Sequence, residues 1–293
     1  MLSLHTNVAS LSAQNSLSRT QNSLSTSMTR LSTGYRINSS MDDAAGLQIA
    51  TRLKAQSSGM AVAMRNTQNS ISMLQTAEGS LSEVNNILVR MKDLATQAAD
   101  GSSSDTDRTA MQTEYDSLGK ELSNIVSNTK FGGTSLLNTS GGKLATSIDF
   151  QIGSDKTEKM SADFSSDLST MATDISATSG TFSSTASSAV TAAGTEIASS
   201  SAANGSIKTL SDAIDAVSGL RSKLGAASNR LDHVYNNLSN VSTNTAAATG
   251  RIMDVDFAAE SSNMTSNQML LQASTAMLKQ TNSMSSMVMS LLQ

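Results

Sequence analysis

The chain has 293 residues, of which 15% are charged and 3% aromatic, with no proline, cysteine or tryptophan and a formal net charge of −4. The absence of cysteine excludes disulfides and thiolate metal sites, and the mild acidity provides no basic field for nucleic acid or an anionic membrane. Because an internal proline costs a helix about 3 kcal/mol, a proline-free chain favours long helices, and scarce aromatic anchors favour a thin bundle over a wide globular core.

The first predicted helix runs from about Leu4 to Leu31 and ends at Gly34, because glycine is the usual residue just after a helix C-terminus. A connector rich in serine and asparagine follows at residues 35–41. The apolar residues of this helix recur at the spacing of a helical seam and are Leu4, Val8, Leu11, Leu17, Leu24, Met28 and Leu31.

The second predicted helix restarts at Asp42 and Asp43 and keeps a three-and-four spacing of apolar residues until Gly101. At about 1.5 Å per residue it would be about 85 Å long, which is more than a compact domain needs. A third helix carries Asp105 and Asp107 in its first turn, where carboxylates cap the helix and match its dipole. Its seam residues are Met111, Tyr115, Leu118, Leu122 and Ile125. We expect these two helices to pair antiparallel.

The texture changes after Lys130, where Gly132-Gly133 and Gly141-Gly142 alternate with short apolar stretches that predict β-hairpins. From about 161 to 206 the sequence is mostly Ser, Thr, Ala and Gly, so we expect a surface-exposed and poorly specified segment without a large outer domain. The helical seam returns at Ile207 and continues more weakly to Ile252, which predicts a further long helix along the first two.

The C-terminal segment is nearly uncharged, since Lys279 is the only charged residue between 261 and 293. A helix there would carry a wide apolar stripe. It would be unstable alone and would become ordered when packed against a partner. Two amphipathic ends of this kind predict a protein that assembles rather than an enzyme. The apolar residues expected to mediate assembly at this end are Met264, Leu270, Leu271, Met277, Leu278, Met284, Val288, Leu291 and Leu292.

We expect no catalytic, cofactor-binding or metal-binding residues. His5 and His233 are isolated and belong to no zinc motif. Gly119-Lys120 and Gly142-Lys143 lack the earlier glycine and the following Ser or Thr of a phosphate-binding loop. No apolar run approaches the roughly 18 residues of a membrane span, and the first residues lack the pattern of a cleaved signal peptide. The sequence therefore predicts neither membrane insertion nor a conventional secretory leader.

Motifs near both ends resemble those of bacterial flagellins. In the first half they are LSTGYRINS at 31–39, DDAAGL at 42–47 and QTAEG at 75–79. In the second half they are LGA at 224–226, NRL at 229–231 and SLL at 290–292. Because the resemblance covers about residues 1–150 and 207–293, the chain is identified as similar to the subunit of the flagellar filament.

The resemblance implies a mainly α fold, an elongated antiparallel bundle of long helices with a small β-hairpin region, whose terminal helices form a coiled coil on assembly. Residues 1–41 and 255–293 would form the inner-tube coiled-coil domain. Residues 42–160 and 207–254 would form the outer-tube helical domain, with 161–206 as the variable surface segment. The implied function is mechanical: copies of the chain polymerise into the helical filament that serves as a motility propeller.

The resemblance also implies partners. Besides other copies of the chain, these are the flagellar cap and hook-associated proteins and a secretion chaperone that masks about residues 264–292. The unfolded chain would be exported through the flagellar type III apparatus to the extracellular flagellum. Arg90, Leu94 and Glu114 match positions that the vertebrate innate flagellin receptor recognises, although they also fit ordinary surface charges and a packing residue.

Two alternatives stay open at this point. A hook-filament junction protein of the same superfamily would share the terminal helices, but the density of filament-subunit motifs favours the filament. A signalling coiled coil such as a chemoreceptor hairpin would also have long helices without proline, but it should lack the glycines of the β-hairpins.

Overall fold

The computed structural model describes residues 7–185 and 194–291, with side chains in the last helix as far as Met284 and at Met287. Within these residues the fold is mainly α, as the sequence predicts. The helices are α1 (Val8–Thr33), α2 (Ala44–Ala99), α3 (Asp105–Asn128), α4 (Ser165–Thr178), α5 (Ser200–Met253) and α6 (Phe257–Leu291). The strands are β1 (Lys130–Phe131), β2 (Thr134–Ser135), β3 (Ile148–Gln151) and β4 (Lys159–Ala162).

The chain divides into two compact units. One contains the two terminal parts of the chain, up to Ser57 and from Thr243, and the other runs from Ser58 to Ser242. We refer to them as the terminal unit and the central unit. The division into domains at 41 and 255, expected from the sequence, stays a prediction.

The ends of the helices follow from local chemistry. Asp43 Oδ1 accepts a hydrogen bond from the backbone N–H of Gly46 (2.8 Å), as expected of a residue that starts a helix. At the start of α3 the cap is Ser104, whose hydroxyl accepts from the N–H of Asp107 (3.2 Å) while the Asp107 carboxylate accepts from the N–H of Ser104 (3.1 Å). Of the two predicted caps, Asp107 therefore takes part in capping α3. The N-cap residue itself is Ser104, which a prediction based on charged residues does not include.

The core of the central unit lies between α2, α3 and α5. Arg108 Nε donates to the carbonyl of Ala98 (3.1 Å) near the turn between α2 and α3, and Arg90 contacts Glu114 further along both helices. The two helices therefore run antiparallel, as predicted. The fully buried apolar side chains larger than alanine that α2 and α5 contribute to this core are Leu74, Leu81, Val84, Leu88, Met91, Leu210, Val217, Leu220, Leu224 and Leu231.

Two hairpins connect α3 to α4, and the turn of the first explains Gly132 and Gly133, whereas Gly141 and Gly142 lie between the hairpins. Gly132 and Gly133 both have positive φ (56° and 83°), which two-residue hairpin turns require and which glycine adopts without steric cost. In the second hairpin Phe150 pairs with Met160, and both side chains are buried. The prediction of β-hairpins in this region is confirmed.

The sequence predicts a poorly specified surface segment at 161–206. The part of this segment that the structure describes instead packs into the core. Helix α4 lies inside this segment, and α5 already begins at Ser200. The segment contributes seven buried side chains to the core: Phe164, Leu168, Met171, Ile175, Phe182, Ile197 and Ala203. Four of them are spaced by four, three and four residues, a helical signal that the surrounding serines and threonines concealed.

A group of three polar side chains, which we call the polar clamp, holds the chain that leaves α4 and returns to α5. The clamp consists of Gln112, Asp116 and Glu196. Gln112 Nε2 donates to Asp116 Oδ1 (2.8 Å) and to Glu196 Oε2 (2.9 Å). The N–H of Gly180 donates to Glu196 Oε1 (2.7 Å), and the N–H of Gly194 donates to Asp116 Oδ2 (3.0 Å). Both ends of the 180–194 stretch are thus tied to the same turn of α3.

Candidate assembly surface

A glycine and a short connector set α1 beside α6 in the terminal unit. Gly34 ends α1 in the left-handed conformation (φ 76°), and its N–H donates to the carbonyl of Arg30 (2.9 Å). The N–H of Val255 then donates to the carbonyl of Gly34 (3.0 Å), and the N–H of Arg36 donates to the carbonyl of Met253 (2.6 Å). These two bonds join the C-terminal end of α1 to the link between α5 and α6. The end of α1 therefore lies beside the start of α6.

The connector itself is folded around Asp42. One oxygen of this carboxylate accepts from the N–H groups of Ser39 (2.9 Å) and Asn38 (3.1 Å). These backbone hydrogen bonds hold the pKa of Asp42 below its usual value, because they stabilise the charged form. The sequence predicts the same role for Asp42 and Asp43 in starting α2; Asp43 has that role, whereas Asp42 closes the turn before it.

Helices α1 and α6 pack antiparallel, and contacts at both ends fix their register. At one end Asn7 Nδ2 donates to the carbonyl of Thr281 (3.4 Å). At the other end Arg30 Nη1 lies 3.7 Å from Glu260 Oε2. Between these contacts, residues later in α1 lie level with residues earlier in α6.

Apart from Arg30, the side chains of α1 and α6 that are covered at least in part repeat at alternating spacings of three and four, the pattern of a coiled-coil seam. We call this set the terminal seam. On α1 it contains Ser10, Ala13, Leu17, Thr20, Leu24, Ser27 and Leu31. On α6 it contains Glu260, Met264, Asn267, Leu271, Ser274, Leu278 and Thr281. Large apolar residues alternate with small or polar ones, and the register places each leucine near the level of a smaller or polar residue on the other helix.

The remaining predicted assembly residues point away from the terminal seam. Val8, Leu11 and Met28 of α1 are exposed. On α6, Leu270, Met277 and Met284 are 54%, 67% and 51% exposed and recur every seven residues. We call these three residues the outer stripe. Leu4 and Leu292 lie outside the described residues, as do the side chains of Val288 and Leu291.

The assembly residues predicted from the sequence therefore separate into two sets. Leu17, Leu24, Leu31, Met264, Leu271 and Leu278 belong to the terminal seam. The others that the structure describes are exposed. Sequence reasoning also missed Met269, which is 60% exposed beside the outer stripe, because it does not share the seven-residue spacing.

The three candidate receptor residues do not share one surface. Arg90 donates to Glu114 Oε1 through Nη2 (2.7 Å) and Nε (3.0 Å), and both side chains are about half exposed. Leu94 is only 3% exposed and belongs to the core of the central unit. The structure thus brings Arg90 and Glu114 together on the surface and places Leu94 beneath it.

Two features of other protein classes are absent from the described ranges, 7–185 and 194–291. No three His, Cys, Asp or Glu side chains there lie close enough to hold a metal ion. None of the helices in this part of the chain is both long and apolar enough to cross a bilayer. His233 is exposed on α5, and His5 lies outside the described residues.

Replacing Glu260 with alanine is expected to loosen the end of α1. Glu260 is 8% exposed, and the Nε atom of its partner Arg30 is buried without a hydrogen-bond partner, so the substitution would leave a poorly compensated guanidinium in the seam. The cost should be about 1–2 kcal/mol. Amide hydrogen exchange in residues 24–34 should accelerate about tenfold, which corresponds to about 1.4 kcal/mol. The exposed Gln272→Ala serves as control; equal exchange in both variants would contradict the prediction.

Comparison with known proteins gives one consistent answer. The bacterial flagellin N-terminal helical region matches residues 4–141, and the bacterial flagellin C-terminal helical region matches residues 207–292. Flagellin of Bacillus subtilis (strain 168) is 37% identical over 302 residues, and Flagellin B of Vibrio anguillarum is 33% identical over 377 residues; each alignment covers 99% of both chains. The crystal structure of Bacillus cereus flagellin is 33% identical with a TM-score of 0.47, covering 63% of this chain and 94% of that one.

Proposed function

Because the chain belongs to the bacterial flagellin family, and is thus a structural subunit that polymerises into the flagellar filament for motility, we propose that α1 and α6 are its assembly element. In this proposal the terminal seam joins α1 to α6 within one chain. The outer stripe joins α6 to neighbouring copies of the chain.

The burial within the terminal pair supports this proposal. Among the described side chains of α1 and α6, only Ser27 and Glu260 are less than a tenth exposed, and neither is apolar. Ordering the backbone costs about 1–2 kcal/mol per residue, and burial of apolar surface is the main term that offsets it. A pair that buries so little needs further apolar contacts, and the outer stripe offers them. Ordering of the ends would therefore be coupled to assembly.

The low charge of α6 supports contact between identical copies. Glu260 and Lys279 are its only charged residues, and Glu260 is already paired with Arg30. Identical surfaces that carry charge of one sign repel each other, so a nearly neutral stripe lets copies approach closely. Contacts between different faces of identical copies generate an open helical polymer when they do not close into a ring.

The finer partners are also part of the proposal. A secretion chaperone would mask residues 264–292, which contain the outer stripe, until the unfolded chain is exported through the type III apparatus. Cap and hook-associated proteins would cover the same helices at the ends of the filament. For an innate receptor, the accessible contacts would be Arg90 and Glu114, since Leu94 is buried in the subunit.

Substituting the outer stripe tests the proposal directly. The triple variant L270N/M277N/M284N keeps the terminal seam and removes the apolar side chains that would contact neighbouring copies. We expect seeded filament growth, measured by light scattering and electron microscopy, to fall at least about tenfold, because each buried amide without a partner costs about 1–3 kcal/mol.

The matched control is S262N/Q268N/T275N, which places the same three asparagines at exposed polar positions of α6. This variant should grow at the rate of the unmodified chain. Normal growth of the outer-stripe variant, with unchanged melting of the central unit, would overturn the proposal.

A further inference from the structure

The methionines that the structure describes fall mainly into two environments. Several in the central unit are buried and include Met60, Met91, Met160 and Met171. Those of the terminal unit are largely exposed and include Met28, Met41, Met269, Met277 and Met284. In a chain without cysteine or tryptophan, the exposed thioethers are the side chains that mild two-electron oxidants attack most readily.

We propose that Met277 and Met284 of the outer stripe are an oxidation site that controls assembly, and that a peroxide-class oxidant blocks addition of the subunit by converting these thioethers to sulfoxides. The inference rests on the proposed function, because it requires the outer stripe to be buried between copies. Three features support it: high exposure in the single chain, a shared seven-residue spacing, and an apolar surface that a polar group would interrupt.

The chemistry is a simple oxygen transfer. The sulfur lone pair attacks one oxygen of hydrogen peroxide, the O–O bond breaks, and an S=O bond forms. The sulfur is oxidised by two electrons and the peroxide is reduced to water, so no other reactant is required. The product side chain has nearly the same length but carries a strong hydrogen-bond acceptor.

The effect of that acceptor depends on whether the stripe is free or covered. In the single chain the sulfoxide oxygen is hydrated and costs little. Between copies it would lose water, and the neighbouring stripe positions of α6 are the apolar Leu270 and the second methionine, which offer no donor. Oxidation before assembly should therefore prevent growth, whereas covered methionines in a finished filament should react slowly.

The test compares wild type with M277L/M284L, in which leucine keeps the size and apolarity of methionine but resists oxidation. Both proteins are treated with limited hydrogen peroxide as single chains, and peptide mass spectrometry measures sulfoxide at each methionine. We expect growth of treated wild type on untreated seeds to fall about tenfold, and treated M277L/M284L to grow as before treatment. Met91 and Met171 are internal controls and should stay unmodified.

Outcomes separate this inference from the proposed function. If untreated L270N/M277N/M284N grows normally, the proposed function fails. The other case is that this variant does not grow, as the proposed function requires, while wild type with complete sulfoxide at Met277 and Met284 grows at its untreated rate. Only the oxidation site is then overturned. The same holds if peroxide stops M277L/M284L as strongly as wild type, or if protection comes from M41L instead.

Discussion

A chain that ends at Glu260 is expected to form no filaments, even on seeds of full-length filament, while its central unit stays folded. The truncation removes the outer stripe and all of the α6 side of the terminal seam except Glu260, so α1 loses its partner as well. Among the described residues, the core cluster of the central unit and the side chains packed against it run from Ile71 to Leu231, well before the point of truncation. Negative-stain electron microscopy should show filaments only from the full-length chain.

Thermal unfolding followed by circular dichroism provides the control for this truncation. The main transition should keep its midpoint, because it reports the central unit. Loss of that transition would mean that the truncation acts through misfolding and not through assembly. Growth of the truncated chain on seeds at the full-length rate would show that the terminal helices are dispensable.

The largest loss of stability is expected from Leu88→Ala in the centre of α2. Leu88 is 0% exposed and lies in the continuous core of the central unit. Truncating a leucine there removes favourable burial and leaves a cavity, which together cost about 2–5 kcal/mol. Urea unfolding should show a midpoint lowered in proportion, with an unchanged slope.

The neighbouring residue is a matched control for this substitution. Val89 is 43% exposed on the same helix, so Val89→Ala changes side-chain size and helix propensity at nearly the same place without opening a core cavity. Its cost should stay within about 0.5 kcal/mol, as for most surface substitutions. Equal destabilisation by both variants would contradict the prediction, because alanine favours the helix at both positions and only Leu88→Ala opens a core cavity.

Helix positions were predictable because they depend on local chemistry. Gly34 and Asp43 mark a helix end and a helix start through their own backbone geometry and hydrogen bonds. Membership of the terminal seam was not predictable in the same way. Leu17 and Met277 both fit a seven-residue repeat, and only the register set by distant pairs such as Arg30 and Glu260 tells that one is covered and the other exposed.

The central segment shows a different limit of sequence reasoning. Its composition resembles that of a disordered tract, yet Leu168 and Ile175 are fully buried by α4 packing into the core. A few large apolar residues at helical spacing outweigh many small polar ones, since burial depends on the face they form and not on their proportion. The polar clamp was equally hidden, because Gln112 and Glu196 are 84 positions apart in the chain.

Because of the polar clamp, the free energy of folding should depend only weakly on the length of one stretch of chain. Gly180 and Gly194 are both held by the clamp, and Phe182 beside the first of them packs into the core, so all these contacts offset the entropy of closing the chain between the two glycines. As a general rule, each doubling of the length of a connecting segment adds only about 0.6 kcal/mol to the free-energy cost of closing it. Residues added between Thr185 and Gly194 should therefore cost little stability, whereas a substitution of Phe182 would change the core itself.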